Sequence, residues 1–194
     1  MGKIKSALEI ALEKTESVSG DKDIIGQYRA KQKGKKLANE FLAGNVKSLE
    51  EEIKKASDDH PESIKQGIFD ILISQINLPA SQEELKRVET AGQGLNAVIS
   101  GKRFTEISKQ MIKILNKYLE EAAQYEEAIK RQYGPKLRQK EEEISRRLGR
   151  QVKLDPFQDP EFQAFYNQNM NALKANYETA VDEIRKEAKR LYSE

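Results

Sequence analysis

Large apolar residues recur along this chain at steps of three and four, the spacing that puts them on one face of an α-helix. Ile4, Leu8, Ala11 and Leu12 predict an amphipathic helix over about 3–17, with Ser19-Gly20-Asp21 as its stop. A second helix is predicted over about 22–43, through Ile24, Ile25, Tyr28, Leu37, Phe41 and Leu42. Gly26 and Gly34 weaken it, each by about 1 kcal/mol relative to Ala in a helix interior. Gly44-Asn45 ends it, and Val46, Leu49 and Ile53 predict a short helix over about 46–57. Pro61 opens the next, over about 61–77. With Ile64, Ile68, Phe69, Ile71, Leu72, Ile73 and Ile76 it has little polar circumference, so it is expected at the centre of the first half's core. Leu78-Pro79 closes it. Ser81-Gln82-Glu83-Glu84 has the form of a capping box, starting a helix that runs to about 91, with a possible extension to 100 past Gly92-Gln93-Gly94.

From Gly101 to Arg103 the pattern changes to long helices. Phe104, Ile107, Met111, Ile114, Tyr118, Tyr125 and Ile129 form one stripe, a kink or break is expected at Gly134-Pro135, and Leu137, Ile144 and Leu148 carry the stripe on to Gly149. Gln151 to Gln158 reads as a loop. Asp159-Pro160-Glu161 is a helix start: a cap, a proline in the first turn, an acid behind it. Phe162, Tyr166, Met170, Leu173, Tyr177, Ala180, Ile184 and Leu191 then continue almost to the last residue, partly with coiled-coil spacing. A short loop between two long amphipathic helices favours an antiparallel pair. No segment alternates as a strand does. The predicted fold is all-α: an N-terminal amphipathic helix over 1–20, a small helical bundle over 21–102, and a long coiled-coil-like helical hairpin over 103–194 with a loop near 150–159.

Composition narrows the chemistry. The 194 residues include no Cys, no Trp and one His, which removes disulfides, thiol nucleophiles and thiolate metal sites. Two Glu-x-x-His pairs or a two-His zinc site need a second histidine. His60 itself, in Asp58-Asp59-His60-Pro61-Glu62, reads as a helix boundary rather than a catalytic group. No apolar run approaches the roughly 20 residues of a bilayer span. The opening Met1-Gly2-Lys3-Ile4-Lys5 is basic, but Glu9 and Glu13 interrupt the apolar residues that follow, so no secretory signal is expected and a cytoplasmic setting is.

Three short motifs are imitated, and none is read as functional. Gly94 and Gly101-Lys102 are separated by six residues where a P-loop has four, and Arg103 stands in place of Ser or Thr. Asp21-Lys22-Asp23-Ile24-Ile25-Gly26 opens like an EF-hand, but Ile25 and Gln32 occupy ligand positions, so Asp21 is read as a helix cap. Met1-Gly2-Lys3-Ile4-Lys5-Ser6 fits a myristoylation pattern. The acids Glu9, Glu13 and Glu16 behind it oppose an anionic lipid surface, and membrane contact is not expected.

The net charge of +2 conceals an uneven distribution. The segment 128–153 holds nine basic residues, Lys130, Arg131, Lys136, Arg138, Lys140, Arg146, Arg147, Arg150 and Lys153, against three acidic ones, Glu141, Glu142 and Glu143. Clustered Arg suits phosphate or carboxylate recognition, and Tyr133, Phe157 and Phe162 would add stacking surface. The competing reading is a solvated helix face with local pairs such as Glu142–Arg146 and Glu143–Arg147. The same choice applies to the smaller cluster Lys31-Gln32-Lys33-Gly34-Lys35-Lys36.

The opening Gly2-Lys3-Ile4-Lys5-Ser6-Ala7-Leu8-Glu9-Ile10-Ala11-Leu12-Glu13-Lys14-Thr15, with Gln66-Gly67-Ile68-Phe69-Asp70 and Leu78-Pro79-Ala80-Ser81, resembles a family of uncharacterised bacterial all-helical proteins. The resemblance covers mainly the first half. It implies a bacterial, cytoplasmic setting and no activity, cofactor or catalytic residue.

The sequence therefore supports a non-enzymatic helical protein, needing no cofactor or metal, that engages a protein partner or a second copy through amphipathic helix faces. The alternative is polyanion binding, to RNA or DNA, through the basic 128–153 segment.

Overall fold

The structure, a computed structural model, describes residues 19–56, 60–99 and 101–194. The helix predicted over 3–17 and the motif at Met1–Ser6 lie outside the described residues. So do Asp58, Asp59 and the Asp21 side chain. Among the described residues the chain is all-α, with no strand. Its helices are α1 (Ser19–Leu42), α2 (Leu49–Ala56), α3 (Pro61–Ser74), α4 (Gln82–Leu95), α5 (Lys102–Leu148) and α6 (Pro160–Ser193). A single 3₁₀ turn, Pro156–Gln158, precedes α6.

The chain divides into two compact units. The first collects the described residues up to Ile76, Arg87–Ser108 and Ala188–Glu194. As the sequence predicts, α3 is central to its core and buries more side chains there than any other helix: Ile64, Ile68 and Leu72 are fully buried and Phe69 nearly so. α1 lies across α3 with backbones in direct contact. A Cβ at Gly34 would collide with the carbonyl oxygen of Ile64, and one at Gly67 with that of Lys31. Gly34, read from the sequence as a weak point, is the residue that lets the two helices meet. Lys31 ties the same crossing to Asp70 at 2.8 Å.

Several boundaries differ from expectation. α1 begins at Ser19 rather than at 22, so the backbone of Ser19-Gly20-Asp21, expected as a stop, lies in its first turn. α2 begins at Leu49 rather than 46, because the Ser48 hydroxyl accepts the Glu51 amide at 3.3 Å and sets the start. α3 stops at Ser74 rather than 77, its end closed by tight bonds from the Gln75 and Ile76 amides to Leu72 and Ile73. His60 stands at the N-cap position of α3, its side chain making no capping hydrogen bond, with Pro61 behind it. α4 runs through Gly92-Gln93-Gly94 to Leu95, between the two ends, 91 and 100, that the sequence offered. Gly94 is no breaker: a Cβ there would press on Leu72, Phe41 and Leu49, so the glycine makes room for core side chains. Gly101, at φ +102°, supplies the turn before α5.

The second unit, Asn77–Lys86 with Lys109–Glu187, is built on α5 and α6. Their contacts run antiparallel. Tyr118 meets Tyr177 with ring centroids 5.1 Å apart, the Tyr166 hydroxyl reaches Glu126 at 3.3 Å, and Tyr133 meets Phe162 at 5.2 Å. Buried Ile129, Tyr133, Phe162 and Met170 form its core nearest the turn. α5 continues through Gly134-Pro135 without the break that the sequence allowed there. Proline removes one backbone donor, and in helical geometry its ring crowds the N–H and Cβ of the preceding residue. Gly134, having no Cβ, removes part of that crowding. In this unit the Ser81 hydroxyl accepts the Glu84 amide at 3.2 Å, while the Glu84 carboxylate accepts the Ala80 amide at 2.7 Å. The capping box thus closes one residue earlier than the standard pattern.

Candidate interaction surface on the helical hairpin

The nine basic residues of 128–153 do not form one surface. Lys136 and Lys140 turn toward the start of α6. Lys140 Nζ lies 2.7 Å from Asp159 Oδ2 and 2.6 Å from Glu161 Oε2, and Lys136 Nζ lies 3.0 Å from Glu161 Oε2. Asp159 is the buried charged residue of the described chain, 9% exposed. Its Oδ1 accepts the Glu161 amide at 3.0 Å, so it is the N-cap of α6. Its Oδ2 also accepts the Tyr133 hydroxyl at 3.0 Å. One carboxylate thus caps a helix, pairs with a lysine and takes a phenol, leaving little capacity for an outside ligand.

The electrostatics follow from this geometry. The Lys140 hydrogen bond, followed by those of Tyr133 and the Glu161 amide, outweighs burial and holds the Asp159 carboxyl below its ordinary range. Lys140 and then Lys136 lower Glu161 in the same way. Asp159 and then Glu161 raise the Lys140 ammonium. Burial, then the Asp159 hydrogen bond, raises the Tyr133 phenol. Each group is held in the state it already has at neutral pH, as a structural clasp requires and a proton-transferring group does not.

Lys130 is also committed internally, to Glu126 at 2.7 Å and Glu127 at 3.4 Å, and sits 5.9 Å above the Phe157 ring. Arg146 is 3.9 Å from Glu142, one of the two expected helix pairs. The other expected pair, Glu143–Arg147, does not form. Arg131, Arg138, Arg147, Arg150 and Lys153 are exposed and make no ion pair among the described residues. Arg131 and Arg138 are seven residues apart and share a helix face. Arg147, nine residues further on, falls roughly half a turn round from Arg138 at about 100° per residue.

Two of the expected stacking rings are buried, and the third, Phe157, is 40% exposed and packs against its neighbours. Phe162 is fully buried and Tyr133 nearly so. Phe157 meets Phe162 edge-on at 5.1 Å and Tyr166 at 5.2 Å. What remains open is the turn. The stretch 144–154 holds Arg146, Arg147, Arg150 and Lys153 with no acid. Within it Leu148 is 56% exposed, and Gly149 at φ +65° ends α5. The turn is tied back onto α5, since the Ser145 hydroxyl accepts the Val152 amide at 2.9 Å and Glu141 accepts the Leu154 amide at 2.8 Å. The smaller basic cluster is mostly committed as well: Lys31 to Asp70, Lys36 to Glu40 at 3.8 Å, and Lys33 to the Ala56 carbonyl at 3.4 Å.

Elsewhere in the second unit, Asn77, Leu78, Glu178, Val181, Asp182 and Arg185 line a cavity of about 310 Å³. Arg185 is held there by Asp182 at 2.9 Å and by the Asn77 side chain. No three His, Asp or Glu side chains among the described residues are grouped to hold a metal ion, and no helix among them is long and apolar enough to cross a membrane.

The sequence reading identified Asp159 as a cap. It did not find the clasp, whose members lie 26 residues apart on two helices. Only the antiparallel pairing brings them together.

A model for a family of unknown function, DUF6657, matches residues 50–190, and the chain belongs to that family. No curated protein and no solved structure matches the chain.

Proposed function

We propose that this member of the family is a non-enzymatic helical interaction protein, working in the cytoplasm by presenting its α5–α6 hairpin to a protein partner. The observation that carries this reading is what the hairpin leaves open. Of the four large apolar side chains exposed among the described residues, Tyr125, Leu148 and Phe157 belong to the hairpin, and unpaired cations flank Leu148 in the chain. Its buried polar groups, by contrast, are spent on holding the two helices together. Affinity capture of the intact chain from native lysate, with nuclease added, tests the reading. A stoichiometric protein partner is expected to co-elute. Elution of the chain alone contradicts it.

The second reading, binding of RNA or DNA, keeps support from Arg131, Arg138, Arg147, Arg150 and Lys153, the cations that remain unpaired. It loses support from Lys136 and Lys140, which meet carboxylates of the same chain. Under this reading affinity for nucleic acid falls steeply with salt, because phosphate contacts release counterions. Captured nucleic acid that disappears on nuclease treatment, with no protein partner, would establish it in place of the first.

A further inference from the structure

We infer that the hairpin turn, Ser145–Lys153, is a docking site for an acidic, leucine-bearing segment of a partner protein, an assignment that rests on the interaction reading above. Three features of the turn converge. It presents three unpaired cations, Arg147, Arg150 and Lys153, beside Arg146, which lies 3.9 Å from Glu142, and the chain holds no acid between Ile144 and Leu154. It leaves Leu148 more than half exposed among them. And its backbone is fixed rather than free, because Val152 and Leu154 donate to Ser145 and Glu141. A fixed surface loses less entropy on binding.

The class of partner follows from what such a surface needs. Three unpaired guanidinium and ammonium groups favour carboxylates or phosphates. A nucleic acid would meet the charges, but its backbone offers nothing apolar to cover Leu148. It would also gain from open rings on which bases can stack, and Tyr133 and Phe162 are buried, while Phe157, 40% exposed, already packs on Phe162 and Tyr166. A protein segment with Glu or Asp around one or two leucines satisfies both halves of the surface. A lipid surface rich in phosphatidylserine would satisfy the charges and bury one leucine only.

The test uses the full chain and three probes: a synthetic peptide of glutamates with leucines at helical spacing, single-stranded polyuridylate, and vesicles of phosphatidylserine and phosphatidylcholine. The peptide is expected to bind best, and more weakly as salt rises. Leu148→Ala, and separately Arg150→Glu with Lys153→Glu, should each weaken it about tenfold, the scale of one interface anchor. Both variants alter exposed residues, and thermal melting by circular dichroism checks that they fold. No peptide binding, or equal binding by the variants, overturns the assignment. So does tighter binding of polyuridylate or vesicles that ignores Leu148→Ala.

Photo-crosslinking residues placed singly at Leu148, Tyr125 and Ile24 separate this assignment from the broader reading. An adduct from position 148 that maps to an acidic segment of a protein supports docking at the turn. Protein adducts from 125 or 24 but not from 148 overturn it and leave the interaction reading standing. No protein adduct from any position overturns both.

Discussion

The Tyr133 hydroxyl donates to Asp159 Oδ2 at 3.0 Å across a gap of 26 residues, joining the middle of α5 to the cap of α6. The same carboxylate oxygen takes Lys140, and the other takes the Glu161 amide. This single contact point fixes where the second helix begins relative to the first, and with it the register of the hairpin.

Asp159→Ala should destabilise the hairpin by about 1–2 kcal/mol, the range of a lost N-cap, with more from the orphaned Tyr133 hydroxyl. Tyr133→Phe should cost about 0.5–1.5 kcal/mol. Because both act on one oxygen, their effects should not add. Urea titrations of the single and double variants measure this. Strict additivity would contradict a shared contact.

Acid should loosen the same region. Asp159 and Glu161 have folded-state pKa values below their unfolded ones. The stability they contribute is therefore complete above the ordinary carboxylate range near pH 4 and is lost as pH falls through the lower folded values. Unfolding midpoints measured downward from pH 5 should drop for the native chain more than for Asp159→Asn. Parallel curves would contradict the clasp.

Two phenols should ionise late. Burial, then Glu121, pushes Tyr177 up to about 12, and burial, then Glu62 and Asp70, does the same for Tyr192, which stacks on Phe69 at 4.2 Å. Both are raised above the unfolded value near 10. Their contribution to stability is therefore complete below that value and is lost as pH rises through 12. Absorbance titration of Tyr177→Phe and Tyr192→Phe should remove late-ionising signal. Loss of signal near pH 10 instead would contradict their placement.

The glycines and the helical proline should respond in opposite directions. Gly34→Ala and Gly67→Ala would drive a methyl group into backbone carbonyls and should destabilise the first unit by more than the roughly 1 kcal/mol that Ala gains as a helix former. Pro135→Ala restores the missing amide and should stabilise α5 by up to about 3 kcal/mol. Thermal melts of the three variants check both directions. A stabilised Gly34→Ala would contradict the close crossing.

Periodicity alone carried most of the fold, because the stripes from Ile64 to Ile76, Phe104 to Ile129 and Phe162 to Leu191 each mark one helix face. It misjudged Gly34, since a single helix's propensity contains no term for the neighbour that a missing Cβ admits. At Pro135 the expected break does not occur, and the cost of a proline depends in part on the residue before it. The basic segment was legible as charge but not as a surface. Lys136 and Lys140 differ from Arg147 and Arg150 only in facing Asp159 and Glu161, acids supplied by a helix that begins more than ten residues later in the chain. The turn became visible as a surface once those two lysines were subtracted.

The most direct test of the interaction reading is the mass of the chain purified natively at low salt, measured by light scattering. We expect a particle heavier than the 22.2 kDa chain, containing a second protein, and returning to monomer mass when Leu148, Arg150 and Lys153 are replaced together. A monomer of 22.2 kDa from the unaltered chain, free of any co-purifying protein, would contradict it.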